Sequence, residues 1–182
     1  MNLRPITLQE DKSNETYTSA DCQLLLSMYD DFYPKIGFNI PWVGYFVVRQ
    51  DKIVGSCGFV GQPKEGKVEV AYWTFKEFEG QGIASFACKE LVSIAYRTDP
   101  SLTITAKTAP EHNASTKILE NNNFVFTKIV QDDEIGDAWF WTYQKTPLFQ
   151  TKVTDPAKAT GADEEIKEQF GQVRQQIKDY LL

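Results

Sequence analysis

Residues 69–84 read Glu-Val-Ala-Tyr-Trp-Thr-Phe-Lys-Glu-Phe-Glu-Gly-Gln-Gly-Ile-Ala, and this run constrains the chain more than any other. An alternating strand pattern leads into Gly80 and Gly82, and a helical pattern begins at once. Glycines that bracket one residue let successive main-chain N–H groups curl around an anion. The helix that follows adds its unpaired N–H donors and the positive end of its dipole. The expected phosphate cradle is the main chain of Gln81, Gly82, Ile83 and Ala84. It carries no lysine, so it differs from the G-x-x-x-x-G-K-[ST] loop of nucleotide triphosphatases. A dinucleotide fold requires G-x-G-x-x-G early in the chain, whereas here Ser85 holds the third glycine position and several strands precede the turn. On the glycines alone two readings stand, a plain tight turn or a diphosphate site.

The wider pattern resembles motif A of the GNAT superfamily of N-acetyltransferases, Q/R-x-x-G-x-G/A, over Glu79-Gly80-Gln81-Gly82-Ile83-Ala84. A second segment, Thr108 to Phe124 with Asn113 and Ser115 near its start, is similar to the "N-x-x-S, then leader to G-F" stretch of the RimJ/RimL-like, ribosomal-protein-alanine branch. The Glu69-x-x-Tyr72-Trp73 run fits that branch too. The motifs cover about residues 69–124, and the strand order extends the likeness to about 1–146. Three positions depart from the pattern. Glu79 stands where Arg or Gln is usual. Asn123 replaces the glycine before Phe124, in a left-handed position that Asn tolerates. Leu119 occupies the place of a tyrosine that protonates the leaving thiolate in many relatives.

The resemblance implies acetyl transfer from acetyl-CoA to a primary amine by direct attack, with both substrates held together. By resemblance, the main chain of Trp73, Thr74 and Phe75 pairs with the pantetheine amides as an added strand. Asn113, with Ser115 and Lys117 on the same helix start, reaches the pantetheine or phosphate side. Glu69 is the expected base for the ammonium proton; the competing reading is a strand carboxylate paired with a lysine such as Lys67. Tyr143 and Tyr72 either stand in for the missing acid or, the favoured reading, pack in the core or at an interface. The acceptor is expected to enter past Tyr33, Phe38 and Trp42, which either line that entrance or pack in the core. Asp132, Asp133, Glu134 and Asp137 form an acidic tip that either draws in a cation or is simply solvated. His112 receives no role. Two other classes remain: a non-catalytic acyl-CoA-binding module, and an assembly protein acting through its C-terminal helix.

The 182 residues suffice for one domain and an appendage. A net charge of −6 without a basic stripe disfavours nucleic acid as a partner. Cys22, Cys57 and Cys88 are widely spaced, and with one histidine they offer no metal site. Free cysteines, no signal-peptide pattern and no long apolar stretch predict a cytoplasmic protein without a membrane segment.

The expected fold is α/β (α+β): a mixed, mostly antiparallel sheet with helices on both faces. Its strands fall at 2–7, 43–49, 53–61, 67–75, 102–107, 124–130 and 138–144, and its helices at 20–32, 82–96 and 113–122, with 33–42 as a loop or broken helix. Residues 1–146 form the acetyltransferase domain. Residues 147–182 read as a linker and an amphipathic helix carrying Ile166, Phe170, Val173, Ile177 and Tyr180. That helix docks either on its own domain or across a homodimer.

Overall fold

The structure, a computed structural model, describes residues 1–133 and 136–145. The expectations for 147–182, the homodimer among them, lie outside those residues, as does Glu134. The compact unit is Met1–Lys145.

Seven strands and three α-helices build it: β1 (Asn2–Pro5), α1 (Ala20–Ile36), β2 (Gly44–Arg49), β3 (Lys52–Phe59), β4 (Lys67–Thr74), α2 (Ile83–Thr98), β5 (Thr103–Thr108), α3 (Ala114–Asn121), β6 (Phe124–Asp132) and β7 (Gly136–Tyr143). The strands form one sheet in the order β1-β2-β3-β4-β5-β7-β6. Every pairing is antiparallel except that of β4 with β5. The mixed, mostly antiparallel sheet expected from the sequence is therefore the one observed.

Local chemistry explains the boundaries. The Ser19 side chain accepts a hydrogen bond from the Cys22 N–H and starts α1. Gln50 and Asp51, both at positive φ, make the two-residue turn between β2 and β3. Asn123, at φ +63°, ends α3 in the left-handed conformation expected of it. The largest boundary difference from expectation is at the end of α1, which continues through Pro34 to Ile36 before Gly37 closes it. Proline removes a single N–H there, and the carbonyl it deprives belongs to the exposed Asp30, where water can replace the donor.

Helix α1 lies over the sheet face that carries Gly44 and Gly58. The Tyr29 ring sits so close that a Cβ on Gly44 would fall 2.0 Å from its hydroxyl oxygen. Helix α2 packs on β3 and β4 from the other face, and its Ile83, Ala87, Cys88, Leu91 and Ala95 are buried against the sheet. Gly55 sets how closely β3 approaches β4, because a Cβ there would stand 2.4 Å from the Trp73 carbonyl oxygen. Rotating a side chain cannot relieve a clash with main chain. Gly55→Ala is therefore expected to destabilise the domain by about 2 kcal/mol, as overpacking does, measured by denaturant unfolding. An unchanged midpoint would show that β4 moves freely against β3.

Candidate functional site

Strands β4 and β5 pair only over Lys67–Glu69 with Thr103–Thr105. Past that point β5 pairs with β7 and β4 keeps β3 alone. The sheet therefore opens into a gap along the second half of β4. In an antiparallel pair, alternate residues direct both N–H and C=O to the partner, and the residues between them point away. The Phe75 N–H donates to the Val54 carbonyl at 3.1 Å, and the Glu69 carbonyl accepts from Val60 at 2.9 Å. Odd-numbered residues of this strand thus spend their main chain on β3, and Tyr72 and Thr74 turn theirs to the gap. Of the expected trio Trp73, Thr74 and Phe75, only Thr74 presents main chain there. Tyr72 joins it; Trp73 and Phe75 do not.

The glycine corner lies at the end of the same strand. Gly80 and Gly82 adopt φ +73° and +76°, and α2 begins directly after Gly82 with no side-chain cap. By contrast, α1 is capped by Ser19 and α3 by Asn113. Among the described residues, the main-chain N–H groups of Gln81, Gly82, Ile83 and Ala84 find no acceptor within the chain. Beyond each glycine and its two chain neighbours, nothing among the described residues lies within 4 Å of where a Cβ on Gly80 or Gly82 would stand. The start of α2 is open, uncapped and lined by donors, as an anion site requires.

Two side chains temper the charge at this corner. Lys76 bridges Glu79 at 2.9 Å, so the departing residue of the motif carries its own counter-ion. Arg49, the last residue of β2, donates to the Gln81 side-chain oxygen at 2.9 Å and lies over the Phe78 ring at 5.6 Å. Sequence reasoning missed Arg49. No motif marks it, and only the fold of the β2–β3 hairpin beside the corner brings it near.

Thr74 adds a second sign of a missing partner. Its hydroxyl oxygen is the one buried side-chain polar atom among the described residues with no hydrogen bond. An unsatisfied hydroxyl in a folded interior is costly, and this one sits on the strand that borders the gap. Across the gap, the Tyr72 hydroxyl donates to the Ser115 carbonyl at 3.2 Å. Burial pushes the Tyr72 phenol up, away from ionisation.

The second motif is placed differently from expectation. The Asn113 side-chain oxygen accepts from the N–H groups of Ser115 and Thr116, and its amide donates to Glu111. The Asn113 side-chain oxygen is thus committed to capping α3. Ser115 is half-buried at the gap and Lys117 is exposed. Leu119, where relatives carry the tyrosine, is fully buried in the core.

Glu69 lies on the open face of β4, half-buried. Its partner is not Lys67 but Lys107 of β5, whose Nζ stands 3.3 Å from Glu69 and 2.8 Å from Asp132. Burial raises the Glu69 carboxyl above the ordinary carboxylate range; Lys107 pulls it down and Asp132 pushes it up. Asp132 also holds Lys107 in its charged form. Two residues of the acidic tip have partners of their own: Asp132 pairs with Lys107, and Asp137 accepts from Gln131.

The aromatic residues expected to line the acceptor entrance are packing residues. Tyr33 is buried, donating to the Ile6 carbonyl at 2.6 Å and accepting from the Gly44 N–H at 3.3 Å. Phe38 packs edge-on against it, and Trp42 against Phe59. The cavity on this face is instead lined from α1 by Leu24, Leu25, Met28, Tyr29 and Phe32, and from the sheet by Ala71 and Trp73 among others. An i, i+4, i+8 stripe through Leu24, Met28 and Phe32 was readable in the sequence. It is the exposed edge of the apolar α1 pattern.

Among the described residues, no group of His, Cys, Asp and Glu can hold a metal ion, and no helix is long and apolar enough to cross a membrane.

The model of the acetyltransferase (GNAT) domain family matches residues 5–125. An uncharacterized N-acetyltransferase, p20, of Bacillus licheniformis is 29% identical over 89 residues, 48% of this chain and 50% of that protein. The match thus spans half the length of that curated relative. Among solved structures, the ribosomal-protein alpha-N-acetyltransferase RimL superposes with a TM-score of 0.53 at 14% identity, covering 74% of this chain and 76% of that one. The microcin self-immunity acetyltransferase MccE, in complex with acetyl-CoA and AMP, gives 0.56 at 18% identity, covering 68% and 72%. At such identities the likeness is one of fold.

Proposed function

The chain belongs to the GNAT acetyltransferase family, and on that premise we propose that it transfers the acetyl group of acetyl-CoA to the nitrogen of a primary amine. The observation that carries the proposal is the free second half of β4 running into the uncapped start of α2. The residues present fit coenzyme A: a donor-lined corner suits its diphosphate, and the orphaned Thr74 hydroxyl suits an amide-bearing arm laid along the strand. When bound, acetyl-CoA supplies a thioester whose carbonyl is open to attack.

The chain's own residues do the rest. The N–H groups of Gln81, Gly82, Ile83 and Ala84 hold the diphosphate, with Arg49 as the nearby cation. The main chain of Tyr72 and Thr74 holds the pantetheine arm, and an N–H of this edge can steady the carbonyl oxygen as charge develops on it. Glu69 takes the proton from the ammonium. Leu119 can donate no proton, and with an ordinary thiol pKa near 8.5 the thiolate can leave without one. Tyr72, whose hydroxyl already faces α3 across the gap, is the better placed of the two stand-in tyrosines; Tyr143 packs on Tyr96 and Phe124. Three unpaired, buried cysteines fit a reducing compartment and support a cytoplasmic setting.

Free-thiol release from acetyl-CoA in the presence of a pool of primary amines tests the reading. Tight binding of acetyl-CoA with no amine ever acetylated would replace it with a binding module. A finer test uses Thr74→Val, which keeps the shape and removes the hydroxyl. The variant should be slightly more stable than the parent, by about 1 kcal/mol, yet bind acetyl-CoA about threefold to tenfold more weakly, the equivalent of one neutral hydrogen bond. Calorimetry and thermal melting read the two opposite signs; equal affinity would show that Thr74 faces no ligand.

A further inference from the structure

We infer that the acceptor is a primary amine whose non-reacting end is a compact apolar group, a ring or a branched chain. The inference rests on the acetyl-transfer reading above and adds the substrate class to it.

A cavity of about 320 Å³ lies between α1 and the sheet, of a size that accepts a small organic ligand. Its α1 wall is apolar, and among the described residues no Asp, Glu, Lys or Arg lines it. Several of its apolar residues are exposed: Leu24 by 55%, Met28 by 45% and Val60 by 41%. Ala71, on an interior strand of a seven-stranded sheet, is exposed as well. Apolar surface kept in water around a concave floor gains most from a ligand that is itself apolar.

Position ties this cavity to the transfer. Ala71 and Trp73 line it, and their side chains share one face of β4 with Glu69, since side chains alternate along a strand. Between them lies Tyr72, whose main chain faces the gap. Cavity, gap and carboxylate therefore meet within five residues of one strand. An amine directed at the gap near Glu69 leaves the remainder of its molecule in the cavity. A second ammonium placed there would lose water and meet no carboxylate among the described lining residues. A phenyl ring or branched alkyl group would lose nothing and displace water from Met28, Leu24 and Phe32.

The test measures kcat/KM by thiol release with the full chain, using 2-phenylethylamine, a short peptide beginning with phenylalanine, ethanolamine and spermidine. An apolar acceptor of either kind should exceed both ethanolamine and spermidine by about tenfold or more, as burial of an aromatic group predicts. The ratio of the first two says whether the apolar amine is free or a peptide N-terminus. Ala71→Phe, which fills the floor, should cut the preferred rate about tenfold while leaving acetyl-CoA affinity by calorimetry unchanged. Met28→Glu should shift preference towards spermidine. Spermidine or ethanolamine preferred by the parent protein overturns the inference and leaves acetyl transfer standing. Acetyl-CoA binding with no amine consumed overturns the acetyl-transfer reading, and this inference falls with it.

Discussion

Gly82→Val is expected to lower acetyl-CoA affinity a hundredfold or more while the folded domain survives. The two halves of that expectation have separate causes. Gly82 adopts φ +76°, a conformation that costs a residue with a Cβ about 1–2 kcal/mol, so some stability is lost. Beyond Gly82 itself and its two chain neighbours, no atom of the described residues lies within 4 Å of the new Cβ, so no clash with the rest of the fold follows. The added bulk instead projects into the open space before α2, where the diphosphate must approach the N–H groups to hydrogen-bond distance. Losing two charge-assisted hydrogen bonds at about 1.5 kcal/mol each accounts for a factor of roughly a hundred. Gly82→Ala isolates the strain, because its methyl group obstructs less. Calorimetry with acetyl-CoA, beside a thermal melt, separates binding from folding. Undiminished affinity in a folded Gly82→Val protein would show that the diphosphate does not bind at this corner.

The corner was legible because it is written in local chemistry. Two glycines at positive φ, a helix that starts without a capping side chain, and Asn123 in the left-handed region each announce themselves in a few consecutive residues. So does the Ser19 cap. What stayed hidden depends on residues far apart in the chain. Which of Tyr72, Trp73, Thr74 and Phe75 turns its main chain to the gap is a matter of parity, and parity is set by the register of β3 against β4, visible in the hydrogen bonds of Phe75 to Val54 and of Val60 to Glu69. A shift of one residue would exchange the two sets. Glu69 likewise has Lys67 on its own face two residues away, the partner a sequence suggests. The parallel register Glu69↔Thr105 brings Lys107 instead. Tyr33, Phe38 and Trp42 look like pocket aromatics because they flank prolines in a broken segment. Tyr33 is core because α1 runs one turn further than Pro34 suggests and carries it inward, where its hydroxyl satisfies two main-chain groups, while Phe38 packs half-buried against Tyr33 and Trp42 packs on Phe59. Asn113 fits the motif and yet commits its side-chain oxygen to a cap, since an Asn before a helix satisfies that helix's own N–H groups first. The family is therefore readable from the sequence, while the division of labour within the site is a property of register and packing.

Glu69→Gln is expected to slow turnover about a hundredfold, in the range a positioned general base contributes, with acetyl-CoA affinity nearly intact. The amide is isosteric, so Lys107 and Asp132 keep their own contact at 2.8 Å and the fold is undisturbed. What the variant loses is the ability to accept the ammonium proton. The pH profile gives the same result in a second form. A base works only when ionised, so kcat/KM for the parent protein must rise through the Glu69 pKa. Burial displaces that limb upward from the ordinary carboxylate value of about 4.3, Lys107 restrains it and Asp132 adds to it. Lys107→Met removes the restraint and should move the limb to higher pH, whereas Glu69→Gln should erase it and leave only the rise due to the amine's own deprotonation. A structural carboxylate would show neither behaviour: its replacement would alter stability and leave both the rate and the limb where they were. Turnover unchanged in a folded Glu69→Gln protein would remove Glu69 from the chemistry and leave the proton to water in the gap beside β4.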